Sequence, residues 1–344
     1  MKNLKNGVGL RALTIAGAVC YLLLQGSCKK DSGKTTGVLA TSPQTTNVST
    51  DYNTQLRAYK ASDHQLMYGY FSLANAVDIA KIPDGVDIIA LWGRHEANSP
   101  DFKAELDAIH LMQKDKGTKF VMAFMLSDLT DRFGPRDPVT KKINNADPLS
   151  GVQPLVDSVK KWGLDGIDID YEPNYCGCND VFADKQKMSG LITKFSASFG
   201  PKSNTNLLLI VDGEPGFLNT DLGQYLNYGI SQAYGASNGT NLQQRYSTSK
   251  ITPGNTANVL KSPSKFIVAE NFQQYGSTGG VDFTNADGTK TKSLQGMAGW
   301  NPTEGKKGGA GSFYIDADAK NVPAYKYTNM AIQIMNPVSA KFIH

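Results

Sequence analysis

Short runs of apolar residues alternate along this chain with stretches whose apolar positions recur every three or four residues. The runs are LMYGYFSL (66–73), VDIIALWG (86–93), TKFVMAFM (118–125), GIDIDYE (166–172), TNLLLIVDG (205–213), YGISQAYG (228–235), KFIVAENF (265–272) and SLQGMAGWNP (293–302). Each reads as a buried strand. Between them, Val152, Leu155, Val156 and Val159 follow the helical period, as do Met188, Leu191, Ile192, Phe195 and Phe199. Eight strands alternating with helices predict an α/β fold, a (β/α)8 barrel forming a single domain over residues 59–344. An open doubly wound sheet is the competing arrangement, but no G-x-G-x-x-G follows the first run.

The fourth run departs from the others because it is acidic. In an extended strand Asp168, Asp170 and Glu172 share one face, and Ile167, Ile169 and Tyr171 share the other. Neighbouring carboxylates on that face lie roughly 7 Å apart and repel by about 2 kcal/mol at an effective dielectric near 20, so at least one is expected to hold its proton at neutral pH. An isolated D-x-D is usually a solvated strand face. A calcium loop starting at Asp168 is excluded, because Pro173 stands where its glycine is required and Asn179 where its glutamate is required. Pro173 also has no N–H for a ladder and ends the strand at Glu172. In a barrel, functional groups come from the C-terminal ends of strands, which places the acid face inward and Glu172 at the rim. A protonated carboxyl there is a general acid.

Composition adds the setting. Lys2, Lys5 and Arg11 precede the apolar run ALTIAGAVCYLLL and then QGSC, an arrangement similar to a bacterial lipoprotein signal (residues 1–27) with Cys28 as the lipidated residue. The apolar run is too short to span a bilayer as a stable helix. Plain secretion is the alternative. Losing the leader takes the formal charge from +4 to +1, which gives no reason to expect nucleic acid as a partner. Residues 28–58, rich in Ser, Thr, Gly and Lys, read as a flexible tether. The expected location is therefore the cell envelope or surface, with a lipid as the only membrane attachment and the protein a monomer. Cys176 and Cys178 form one C-G-C; no C-x-x-C or H-x-x-x-H occurs, so neither a metal site nor a cofactor is expected.

Asp165-Gly166-Ile167-Asp168-Ile169-Asp170-Tyr171-Glu172 resembles the D-G-x-D-x-D-x-E signature of glycoside hydrolase family 18 at every fixed position. Ser231-Gln232-Ala233-Tyr234-Gly235 is similar to the Q-x-Y-G of that family's endo-β-N-acetylglucosaminidase branch, and the S-x-G-G of many chitinases is absent from TKFVMAFM. The resemblance implies that Glu172 protonates the glycosidic oxygen and that the substrate's own 2-acetamido carbonyl is the nucleophile, forming an oxazoline. Asp170 would hold the acetamido N–H, Asp168 would share a proton with Asp170, and Tyr234 would aim the acetamido oxygen. Gln232, Tyr70 and Trp300, the last placed at the end of the eighth run, would contact sugar. Asp165 has the opposite parity and reads as structural.

Only residues 273–292 separate the seventh and eighth runs, which predicts an open groove, while long loops are expected at 126–150 and 236–252. Those loops favour a branched N-glycan cut between its two core GlcNAc residues, the activity of a mannosyl-glycoprotein endo-β-N-acetylglucosaminidase. Chitin oligosaccharide hydrolysis by a chitinase is the alternative. A barrel that only binds glycans is the third reading, and an intact Glu172, Asp170 and Tyr234 argue against it.

Overall fold

The computed structural model describes residues 48–72, 76–92, 99–140, 147–174, 184–248 and 254–342. The expected signal, Cys28, Cys176 and Cys178 lie outside the described residues.

Eight parallel strands close a barrel. In chain order they are β1 (Leu66–Ser72), β2 (Ile88–Trp92), β3 (Lys119–Met125), β4 (Gly166–Tyr171), β5 (Leu208–Gly213), β6 (Tyr228–Gln232), β7 (Phe266–Asn271) and, after a small hairpin of β8 (Asp282–Thr284) and β9 (Lys290–Lys292), β10 (Gly309–Phe313). The barrel order is β1-β10-β7-β6-β5-β4-β3-β2 and closes on itself. Helices α2 (Ala76–Ala80), α3 (Pro100–Lys116), α4 (Asp128–Asp131), α5 (Leu149–Lys161), α6 (Lys185–Phe195), α7 (Gly239–Ser247), α8 (Thr256–Leu260), α9 (Phe272–Tyr275), α10 (Ser293–Gly299) and α11 (Lys326–Met335) fill the connections. Their ends carry recognisable stops: the Ser99 side chain accepts the Phe102 N–H at 3.1 Å, Pro100 opens α3, and Gly117 closes it in the left-handed conformation.

Strand parity sorts two apolar populations. Ile88, Ala90, Val121, Ala123, Ile210, Ile230, Ile267 and Ala269 fill the barrel with Tyr68 and Tyr70. Ile167, Ile169 and Tyr171 face outward and join Leu155, Val159, Leu191, Ile192 and Phe195 of the helices. The expected orientation of β4 holds. Asp165 is structural as expected, accepting the Phe120 N–H at 2.8 Å and Gln113 Nε2 at 2.7 Å.

Four expectations about the fold are corrected. The run at 293–302 is not the eighth strand but helix α10, whose buried Leu294, Met297 and Ala298 follow the helical spacing. The strand that closes the barrel is Gly309-Ala310-Gly311-Ser312-Phe313. Its hydropathy is weak because a Cβ at Gly309 would meet the Leu66 carbonyl oxygen at 2.1 Å and one at Gly311 the Tyr68 carbonyl oxygen at 2.4 Å. As a result the connection after β7 runs from residue 272 to 308 and holds the hairpin and α10, so it is not the short link expected.

The tether expected through residue 58 stops earlier, because α1 (Val48–Ala61) is a helix packed on the barrel. Leu56 is fully buried, Tyr52 Oη donates to Asp84 Oδ2 at 2.7 Å, and Lys60 Nζ donates to Val86 O at 2.7 Å and Thr118 Oγ1 at 2.6 Å. Its contacts are made by tyrosines and a lysine stem, which an apolar count misses. The loop expected over 236–252 is in large part α7.

Candidate active site

The acidic strand ends beside a second acid. Pairing of β4 with β5 sets Asp170 opposite Asp212, and both strands run to the same rim. Asp170, Glu172, Asp212, Glu214, Gln232, Tyr234 and Arg245 line one side of a cavity of about 510 Å³, while Tyr70, Trp92 and Phe313 line the other.

Asp168 lies deepest and is fully buried. Its Oδ2 accepts the Tyr68 hydroxyl at 2.6 Å and also the Tyr70 hydroxyl, while Oδ1 has no hydrogen-bond partner. The proton shared between Asp168 and Asp170, expected from the sequence, is replaced by these two phenols. Burial pushes the Asp168 carboxyl up to about 6, against the opposing pull of the two hydroxyls. Asp170 accepts Gln232 Nε2 on Oδ1 at 3.3 Å. Burial, then the charges of Asp212 and Glu172, push Asp170 up to about 9. Asp212 is raised well above the usual carboxylate range by burial and by Asp168, although Gln232 Nε2 donates to its Oδ2 at 2.9 Å. Burial and the neighbouring charges raise Asp170 and Asp212 together, in the direction that the crowding of acids on β4 implies.

Gln232 sits at the end of β6 and bridges two acids. Tyr234 follows in the next turn, its ring stacked on Phe313 at 6.2 Å between centroids. Burial and the surrounding acids push the Tyr234 hydroxyl far up, so it stays a neutral donor. The arrangement can deliver a proton from the rim and receive a developing positive charge beside it.

A sequence profile described as "Glycoside hydrolase family 18, BT1044-like" matches residues 35–334. The chain belongs to glycoside hydrolase family 18. It is 26% identical over 310 residues to endo-β-N-acetylglucosaminidase F2 of Elizabethkingia meningoseptica, an alignment covering 82% of this chain and 85% of that protein. A solved structure of BT1044 superposes with a TM-score of 0.67 at 25% identity, over 84% of this chain and 93% of the other. An endo-β-N-acetylglucosaminidase from Cordyceps militaris shares the fold, with a TM-score of 0.61 at 23% identity over 85% of this chain and 98% of that one. The likeness therefore falls in the endo-β-N-acetylglucosaminidase branch of the family, as the Gln232-Ala233-Tyr234-Gly235 motif implied.

Within this family 18 barrel, Glu172, Asp170, Tyr234, Gln232 and Tyr70 meet at one cavity and Asp168 lies beneath them. Trp300 does not join them. It closes α10 and lines a separate groove with Asn238, Gly239, Phe283 and Ile334, because the segment that carries it is a helix on the barrel flank. Tyr70 presents its ring to the cavity but commits its hydroxyl to Asp168.

Sequence reasoning missed Asp212, Glu214, Trp92, Phe313 and Arg245. Asp212 and Trp92 were findable by the parity that turned Asp170 inward, since each ends a buried strand two residues after an interior position. Phe313 was lost with its strand. Arg245 reaches the cavity from α7, where Nη1 donates to Gln232 O at 3.2 Å and Nε to Asn241 Oδ1 at 2.9 Å, and no local pattern announces that.

Proposed function

We propose that this glycosidase is an endo-β-N-acetylglucosaminidase that cuts the GlcNAc-β1,4-GlcNAc core of N-glycans with retention, through an oxazoline formed by the substrate. The observation that carries the reading is the convergence of Glu172, Asp170, Tyr234 and Gln232 on one cavity at the rim. Glu172 delivers a proton to the glycosidic oxygen as the bond to the leaving GlcNAc breaks. The acetamido carbonyl oxygen of the departing sugar's neighbour attacks the same anomeric carbon, Asp170 takes the acetamido N–H, and Tyr234 aims the carbonyl. Water then opens the oxazoline from the face the leaving group vacated, with Glu172 receiving its proton.

The similarity to endo-β-N-acetylglucosaminidase F2 and the Q-x-Y-G motif support the N-glycan core as substrate. The connection after β7, which holds a hairpin and α10, gives no separate support for an open groove. Export and attachment through Cys28, proposed from the leader alone, would bring the barrel to glycoproteins outside the cell. Replacing Cys28 by Ser should then release the enzyme from the membrane fraction into the medium. Incubation with a glycoprotein tests the activity: the expected product is a polypeptide keeping one GlcNAc on asparagine. Bare asparagine, or cleavage confined to chitin oligosaccharides, would overturn the assignment.

A further inference from the structure

Two buried carboxylates outside the catalytic set grip the chain immediately after a catalytic side chain. Glu214, 2% exposed, follows β5 and accepts the Asn174 backbone N–H on Oε2 at 2.9 Å and the Asn174 side-chain amide at 3.1 and 3.2 Å. Pro173 has no N–H, so that of Asn174 is the first one available after Glu172. Glu270, fully buried on the outer face of β7, accepts the Gly235 N–H at 2.9 Å and the Asn271 N–H at 2.7 Å on Oε1, and the Ser293 hydroxyl on Oε2. Gly235 directly follows Tyr234.

The two grips have the same origin in the fold. β5 pairs with β4, and β7 pairs with β6, so each carboxylate comes from the strand next to the catalytic one. A carboxylate offers acceptors only, which suits a site facing several N–H and O–H donors and no acceptor. Gly213 completes the first grip: at φ +93 it carries no side chain, and a Cβ there would lie 2.9 Å from Glu172 Cγ. The stem of the acid rests on that bare backbone while Glu214, one residue on, holds the turn beyond it. Gly235, at φ +67, has open space around it, so only its backbone conformation calls for glycine and the Glu270 bond fixes the turn.

We propose that Glu214 and Glu270 are positioning residues, Glu214 aiming the acid Glu172 and Glu270 aiming the acetamido-binding Tyr234. The proposal rests on the substrate-assisted reading above and divides its two steps between two supporting carboxylates, of which Glu214 also lines the cavity. Misplacing a catalytic group by a fraction of its reach lowers turnover without removing the group.

Leaving-group dependence separates aim from mere support. A p-nitrophenyl glycoside of the same glycan needs little protonation, whereas a glycoprotein needs the acid. On the glycoprotein, Glu214→Gln is expected to lower kcat about tenfold with KM unchanged, and on the activated glycoside to lose almost nothing. Asn174→Ala, at an exposed position, should give a smaller loss of the same pattern, and the double variant should lose no more than Glu214→Gln alone. Glu270→Gln should lower kcat about tenfold on both substrates, because attack by the acetamido group is common to them. Equal losses on both substrates for Glu214→Gln, a rise in KM alone, or unchanged kcat for either variant would overturn the proposal. If Glu214→Gln does not fold, Asn174→Ala carries the same comparison. Wild-type enzyme and Glu172→Gln run alongside: a wild type that cuts neither substrate refutes the function itself, whereas a wild type that cuts both leaves the function standing and lets the Glu214 and Glu270 variants decide.

Discussion

The mouth of the barrel is made of two unlike arcs. On β4, β5 and β6 the interior positions at the rim are Asp170, Asp212 and Gln232; on β10, β1 and β2 they are Phe313, Tyr70 and Trp92. The aromatic arc is a connected set, with Phe313 at 6.0 Å from both Tyr70 and Trp92 and 6.2 Å from Tyr234, which reaches over from the acid side. Neither arc would work alone. Carboxylates on an open rim would be solvated and ionised, while an aromatic rim has no proton to give. Facing each other, the rings exclude water and the acids keep protons that solvent would otherwise remove. Burial, then the charges of Asp212 and Glu172, push Asp170 up to about 9, while exposed acids such as Asp282 and Asp287 are held below their ordinary range by local hydrogen bonds.

Disabling the acid arc should have the largest effect. Glu172→Gln removes the proton donor and is expected to cost roughly 100-fold to 10,000-fold in kcat on a glycoprotein, measured as initial rate of glycan release. Asp170→Asn leaves the shape but cannot give up a proton to become the anion that faces the acetamido nitrogen as positive charge develops there, for a loss of about 100-fold or more. Opening the aromatic arc should matter less and in a different way. Phe313→Ala admits water beside Asp170 and Tyr234, so the alkaline limb of the pH–rate profile should move to lower pH, with a loss of about tenfold at neutral pH. Tyr234→Phe removes a single neutral hydrogen bond, worth about 1 kcal/mol or roughly fivefold in rate.

A stability measurement sharpens the same contrast with the smallest signal. Asp168 and Asp170 are both pushed up by burial, so the folded protein holds protons that the unfolded chain has already released. Their contribution is complete below the ordinary carboxyl range and is lost as pH rises through about 6 for Asp168 and about 9 for Asp170. Tm of the wild type should therefore fall from mildly acidic to alkaline pH, and Asp170→Asn should flatten that fall. A steeper fall in the variant would contradict the burial argument.

The two arcs also differ in how much of them the sequence disclosed. The acid arc was legible at β4 because three acids at alternate positions in an apolar strand have no bland explanation, and the Q-x-Y-G stretch supplied Gln232 and Tyr234. Asp212 obeys the same parity but stands alone at the end of LLLIVDG, where one acid reads as the edge of a turn. Of the aromatic arc only Tyr70 was named from the sequence. Trp92 and Tyr70 stand within ordinary apolar runs, and Phe313 follows Gly-Ala-Gly-Ser, a strand whose small residues clear space for its neighbours' backbone. Hydropathy then transferred the eighth strand to α10, and Trp300 with it, since both segments are of strand length and the helix is the more apolar. Helix α1 was hidden for the converse reason, its buried face being Leu56 among polar residues that bond the barrel through their tips.

The central claim is that an acid at this rim keeps its proton at neutral pH because the opposing rings keep it dry. Infrared difference spectra of the wild type between neutral pH and about pH 10 measure that directly, since Asp170 is pushed up to about 9 and its carboxylic C=O band should be lost across the interval. A band is expected at neutral pH in the wild type, weakened in Asp170→Asn because Asp212 still contributes, and lost at lower pH in Phe313→Ala than in the wild type. A spectrum with no protonated carboxyl at neutral pH, or one whose band is untouched by Asp170→Asn, would contradict it.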